Sequence, residues 1–347
     1  MSSSRLFAVR ARAHRASDWE DAVTTVIFRC LLAVALASGL AASAAVAQDY
    51  PSRPVKILVG FGPGGLGDIV TRSVAQKLSA QMGQPFVIEN MPGAGGITAA
   101  ATAARSQPDG HTLLLVSGQN ATAPLVFKSL PFNPSTDFRM VTTLSNFDFI
   151  IVVDRASSLK SIADLVTAAR SAPGRFNFGT ISSGSLQNLM SHLFVARADL
   201  KVPTVPFRTT GEAIAALLAG QVQAVVETVP GVVGQVQSGQ LRALALSSDK
   251  RRPQLPEVPT VTESGVAGYE VTSWNGFVVP ARTPEDIVMR LNAEIAKVLA
   301  QPDIAKRFTE LGLVTKPSSP QEMQAIYDAD VERWRGVIEH ANLKLAQ

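Results

Sequence analysis

The 347-residue chain contains one cysteine, three tryptophans, three tyrosines and four histidines, and only 17% of its residues are charged. A single cysteine, Cys30, makes no internal bridge, which excludes a small disulfide-stapled scaffold. Three histidines follow residue 47: His111, His192 and His340. They lie far apart, without metal-ligand spacing, and His192 reads as a packed or surface residue of an amphipathic helix. G-x-S-x-G is absent, so the hydrolase nucleophile elbow is not supported. Ser157-Ser158-Leu159-Lys160 fits S-x-x-K, but neither S-D-N nor K-T-G accompanies it, and the match reads as chance. No acid–base pair stands out. Excess charge of one sign is missing too, with 32 Lys and Arg against 28 Asp and Glu, a formal +4. A catalytic residue, a metal site and a cofactor are therefore not expected.

What the chain does have begins at its N-terminus. Arg5, Arg10, Arg12, Arg15 and Arg29 precede an unbroken apolar and small-residue run, Cys30 to Leu40, which ends in Ala45-Val46-Ala47. That order reads as a secretory signal peptide over residues 1–47, cleaved after Ala47, and implies a periplasmic protein. The charge-free stretch from Cys30 to Gln48 is just long enough for a membrane anchor, but it is Ala- and Ser-rich and weakly apolar. Cleavage removes five Arg, three acids and the only cysteine. The remaining 300 residues carry 27 basic and 25 acidic side chains, a net +2, with no footprint for nucleic acid. No later run of about 20 apolar residues follows, so a soluble mature protein is expected.

From Val55 onward short β-rich runs alternate with helical stretches. Lys56 to Val59, Phe86 to Ile88 and Leu113 to Val116 read as strands. Ile69, Val70, Val74 and Leu78 recur near a 3.6-residue period between the first two. A second cycle starts with Phe149 to Val153 and continues through Phe176 to Gly179, Val202 to Val205, Ala224 to Val226 and Leu241 to Leu246. Pro253, Pro256 and Pro259 mark an irregular crossing, followed by a strand at Gly276 to Val279 and three helical stretches, 284–299, 304–311 and 320–340. The expectation is an α/β chain of two lobes with parallel-core sheets flanked by helices. Lobe 1 spans 48–148 and is completed by 272–347, lobe 2 spans 149–271, and a cleft separates them.

Gly60, Gly62 and Gly65 match G-x-G-x-x-G after a strand and before a helix, and Glu89 lies 24 residues beyond Gly65, where a dinucleotide fold places its ribose acid. An enzyme binding NAD or a phosphate ester is the alternative this pattern raises. Pro63 inside the turn, the extra glycines Gly64 and Gly67, and export from the cytoplasm weigh against it. A simpler reading is an anion site, where backbone N–H groups converge at a helix N-terminus. Ser182-Ser183-Gly184-Ser185 offers a second such turn in the other lobe. Both turns read equally well as ordinary strand-to-helix connections, and Asp68 as a first-turn acid matching the helix dipole.

Val59-Gly60-Phe61-Gly62-Pro63-Gly64-Gly65 with Asp68 resembles the opening motif of Bug-type extracytoplasmic solute receptors, the binding proteins of tripartite tricarboxylate transporters. Glu89 to Gly96, Pro108-Asp109-Gly110-His111-Thr112-Leu113, Leu255 to Thr260, Glu263-Ser264-Gly265 and Trp274-Asn275-Gly276 resemble later motifs, in order over residues 50–340. The resemblance implies a type II-like two-lobed binding protein, without catalysis, that holds a small organic carboxylate by backbone groups and ordered waters. It further implies a membrane permease as partner; a monomer is expected.

Carried over by position, the contacts would be Phe61, Gly64, Gly65 and Asp68 on one side, and Ser183, Gly184 and Ser185 on the other. The chain departs from the family at Gly220-Gln221-Val222-Gln223, which lacks an acid, and at Phe207-Arg208-Thr209. Glu227 and Thr228 close a strand and could face the cleft, where Glu227 would favour an amine or hydroxyl on the ligand. The other reading of Glu227 is a solvated loop residue. Arg208 reads either as selecting a second carboxylate or as a surface residue, and Trp274 as packing at the lobe junction.

Overall fold

The computed structural model describes residues 50–92, 96–172, 174–181 and 185–340. The export segment 1–47 and its cleavage site lie outside the described residues, as do Gly93-Ala94-Gly95 and Ser182-Ser183-Gly184. In the first lobe β1 (Val55–Val59) pairs in parallel with β2 (Phe86–Asn90) on one side and β3 (Thr112–Ser117) on the other. Val55, Ile57, Leu58 and Val59 are fully buried, as expected where a parallel sheet is covered on both faces. Helix α1 (Leu66–Met82) makes the crossover from β1 to β2 and buries Val70, Val74 and Leu78. It stops at Gly83, whose φ of 72° lets its N–H return to the Ser79 carbonyl. Helix α2 (Ile97–Ala104) buries Ala99, Ala100, Ala101 and Ala103, and α3 (Gly118–Val126) starts where β3 ends.

Strand β4 (Phe138–Asp154) runs 17 residues and belongs to both lobes. After α4 (Ile162–Ser171), the second lobe builds a parallel set from β5 (Phe178–Ile181), β6 (Thr204–Phe207) and β7 (Ala224–Thr228). Helices α5 (Leu186–Arg197), α6 (Thr210–Leu218) and α7 (Val229–Gln237) follow these strands in turn. The parallel cores match expectation, but antiparallel strands join them. β8 (Leu241–Leu246) pairs with β4, and β9 (Thr272–Pro280) lies between β3 and β4, antiparallel to both. The sequence pattern showed only residues 149–153 of β4 and 276–279 of β9. Thr142, Thr143 and Ser145 lie in the half of β4 to which no expected strand was assigned, and each is 0% exposed.

The lobes meet where β4 changes partners. Asp148 pairs with Thr272 of β9, and the next residue, Phe149, pairs with Thr228 of β7. Ser247 stitches this point, its Oγ accepting the Phe149 N–H at 2.9 Å and donating to the Val271 carbonyl at 2.6 Å. Arg252, from the proline-rich crossing, forms a two-pronged ion pair with buried Asp148, one arm at 2.9 Å.

The chain then returns to the first lobe. Helix α8 (Glu285–Leu299) packs on α1, and α9 (Pro302–Glu310) is tied to α1 through Asp303 and Lys77 at 2.6 Å. The short β10 (Val314–Thr315) pairs with β4, and α10 (Pro320–His340) lies against α3. Among the described residues no helix is long and apolar enough to cross a membrane.

Candidate ligand-binding site

The glycine turn between β1 and α1 is braced from within. The Asp68 carboxylate folds back on its own turn and accepts the Gly64 N–H at 2.9 Å, Asn90 Nδ2 at 2.9 Å and Arg72 Nε at 2.9 Å. Asn90 also donates to the Phe61 carbonyl at 3.0 Å, and Arg72 donates to Asn90 Oδ1 at 3.0 Å. Burial opposes the charged form of Asp68, but hydrogen bonds from Arg72, Gly64 and Asn90 outweigh it and hold the carboxyl below its ordinary range. Gly64 needs its glycine, with φ at 80°, whereas Gly65 is extended at φ −73°. The first intrahelical bond runs from Ile69 N–H to the Gly65 carbonyl. The N–H groups of Leu66, Gly67 and Asp68 therefore precede the helical ladder. Gly60 lies against Gly96, the N-cap of α2, for a Cβ there would lie 2.7 Å from Gly96 Cα.

In the second lobe three helix N-termini meet on one carboxylate. Glu227, at the end of β7, is 1% exposed, so it is not a solvated loop residue. Its Oε1 accepts Gln187 Nε2 from the first turn of α5 at 3.0 Å. The same oxygen accepts the N–H and hydroxyl of Thr228, the α7 cap, at 2.6 and 3.1 Å. Oε2 accepts the Thr210 hydroxyl from the first turn of α6 at 2.9 Å. Burial pushes the Glu227 carboxyl up, against these four hydrogen bonds. Ser185 caps α5, its Oγ accepting Asn188 N–H at 3.1 Å and donating to the Ile181 carbonyl at 2.6 Å.

A third element had no signal of its own in the sequence. Ser117 ends β3 and caps α3 in a reciprocal arrangement with Asn120. In strand register Ser117 faces Asn275 of β9, and Asn275 faces Ser145 of β4. Ser117, Ser145, Ser273 and Asn275 are all at most 3% exposed. A Cβ on Gly118 would lie 2.7 Å from Ser273 Oγ and 3.3 Å from Leu186 Cδ1, so the α3 and α5 N-termini meet here across the lobes. The only hint was the Trp274-Asn275-Gly276 string. Trp274 itself is buried and donates to Asp330 of α10 at 2.7 Å.

The structure thus places Phe61, Gly64, Gly65 and Asp68 in one braced turn, and Ser185, Glu227 and Thr228 at the carboxyl ends of the second lobe's strands. Ser183 and Gly184 lie outside the described residues. Asp68 and Glu227 are occupied by neighbouring donors, and Arg208 is exposed. The dinucleotide alternative is not favoured. The chain's own anion already takes the Gly64 N–H, and Glu89 is paired with Lys56 at 2.7 Å.

Residues 70–343 match the tripartite tricarboxylate transporter family receptor. The protein BugT of Bordetella pertussis is 31% identical, over 89% of this chain and 95% of its own. A Rhodopseudomonas palustris protein solved with adipate superposes with a TM-score of 0.81 at 32% identity, covering 84% of this chain and 98% of that one. MatC of the same organism, solved with bound malate, gives 0.78 at 31% identity over 83% and 100%. The two α/β lobes and the ordered glycine motifs agree with these matches, and the chain belongs to the tripartite tricarboxylate transporter receptor family.

Proposed function

We propose that this protein is a periplasmic receptor that captures a small organic carboxylate between its lobes and presents it to a membrane permease of the tripartite tricarboxylate type. It performs no catalysis, acts as a monomer, and reaches the periplasm through a signal peptide cleaved after Ala47. The lobes are residues 48–148 with 272–347, and 149–271.

The observation that carries this reading is the braced glycine turn. A carboxylate fits at the start of α1, against the N–H groups that precede the helical ladder, with the helix dipole in its favour. Phe61, Gly64 and Gly65 shape that seat, and Asp68 holds its geometry from behind. From the second lobe the proposed contacts are Ser183, Gly184 and Ser185, of which Ser185 caps α5, together with Glu227 and Thr228 at the end of β7. Because the donors belong to backbone, the site needs no Lys or Arg of its own. The bound adipate and malate of two relatives are ligands of this class.

Isothermal titration with mono- and dicarboxylates, and separately with NAD, tests the proposal. Carboxylate binding without NAD binding is the expected result. Micromolar NAD affinity with no response to any carboxylate would overturn it.

A further inference from the structure

Of the buried polar side-chain atoms without a hydrogen-bond partner among the described residues, three lie on neighbouring strands: Ser145 Oγ, Ser273 Oγ and Asn275 Nδ2. Leaving such a group unpaired costs about 1–3 kcal/mol, so three in one patch call for an explanation. They sit on adjacent strands, Asn275 opposite Ser145 and Ser273 two residues along β9, which puts them on one face. That face points toward the glycine turn. Leu115 lies two residues before Ser117 on the same face of β3, and its Cδ2 would lie 2.7 Å from a Cβ on Gly67 in the first turn of α1. At the other end Ser273 Oγ abuts Gly118, which faces Leu186 at the start of α5. The row therefore runs from the proposed carboxylate seat to the place where the second lobe closes.

We infer that Asn275, Ser145 and Ser273 form a second subsite that reads an uncharged oxygen, a hydroxyl or keto group, on the chain of the bound carboxylate. This rests on the carboxylate reading given above. The patch offers an amide N–H and two hydroxyls, which suits a neutral oxygen that both accepts and donates. The charged group beside it is the buried Asp330 carboxylate, near Gly118 and already held by Trp274 and Arg333. A second carboxylate would bring a full charge into this buried row, where the Asp330 carboxylate lies beside Gly118 and the nearby Arg333 is already paired with it at 2.8 Å. An alkyl chain would leave all three polar groups unpaired, and a site built that way discriminates against the analogue lacking the oxygen.

The test uses three matched pairs of probes: propionate and lactate, butyrate and 3-hydroxybutyrate, succinate and malate. Titration calorimetry on the wild-type chain should favour the hydroxylated member of at least one pair by about tenfold or more. Asn275→Leu should bring that ratio toward one while affinity for the plain member persists. Its melting temperature without ligand should stay level or rise, since an unpaired buried amide has been removed. Ser145→Ala with Ser273→Ala serves as an independent variant with the same expected loss of ratio. Equal affinities within every pair for wild type, or a ratio that survives both variants, would overturn the subsite. Failure of all six probes to bind wild type would instead sink the carboxylate reading, and the subsite with it.

Discussion

Asp68→Asn separates bracing from ligand contact at the glycine turn. The substitution preserves shape but turns one carboxylate oxygen into an NH2 group. In the wild type both oxygens accept, from Gly64 N–H, Asn90 Nδ2 and Arg72. One donor must therefore face another, and at least one partly buried hydrogen bond loses its acceptor. The Arg72 contribution is discounted because that side chain is 53% exposed. The remaining cost is about 2 kcal/mol, from one lost charged hydrogen bond and one unpaired group. For a chain of this size that lowers the melting temperature by about 3 °C.

The pH dependence carries a sign. Asp68 is held below its ordinary range, so its stabilisation is complete above the unfolded carboxyl value, about 3.9, and is lost as pH falls toward the depressed value. Thermal melts of both proteins, from neutral pH down into that window, should therefore converge on acidification. Carboxylate affinity should fall for every ligand by a similar factor, because the seat itself loosens. An unchanged melting temperature combined with loss of affinity for one ligand only would refute the bracing role and return Asp68 to the ligand.

Three further outcomes follow from packing and charge. Gly276→Ala should cost more than about 2 kcal/mol in chemical denaturation, because a Cβ there would lie 2.5 Å from Met323 Cε and 2.8 Å from the Thr142 carbonyl; a midpoint like wild type would contradict this close packing. Arg252→Met leaves the Asp148 carboxylate buried and unpaired and should destabilise by about 3 kcal/mol. Adding Asp148→Leu should recover most of that loss, and a double variant no better than the single would argue against the pair. Glu227 is held above its ordinary range, so the folded state binds its proton more tightly. That contribution to stability is lost as pH rises from the ordinary Glu value through the raised one. Melting curves of Glu227→Gln against wild type should therefore shift in favour of the variant across that window, and a pH-independent difference would count against it.

The parallel cores were legible because their strands are short apolar runs punctuated by glycine turns, and α1 shows its period in Val70, Val74 and Leu78. The first half of β4 was not, because Thr142, Thr143, Ser145 and Asn146 carry the composition of a loop. What makes them strand is pairing with β9, more than 100 residues away in sequence. Helix α3 was hidden likewise by Gly118 at its start and Pro124 inside it. At the site, the glycine turn could be located from its pattern, but the role of Asp68 depends on Asn90, a residue of the next strand. Glu227 could be placed at a strand end. Its burial under the N-termini of α5, α6 and α7 is a property of the tertiary fold, to which three separate segments contribute.

The central claim is that backbone at the α1 N-terminus holds the ligand's carboxylate, and Gly65→Val addresses it most directly. Gly65 has an extended φ of −73°, and its Cβ would meet only the Gly62 carbonyl, at 3.4 Å. The fold should therefore survive at a cost below about 1 kcal/mol for the altered cap. Titration calorimetry with whichever carboxylate binds the wild type is predicted to show no heat of binding to the variant, at an almost unchanged melting temperature. Wild-type affinity in that folded variant would mean that the carboxylate sits elsewhere.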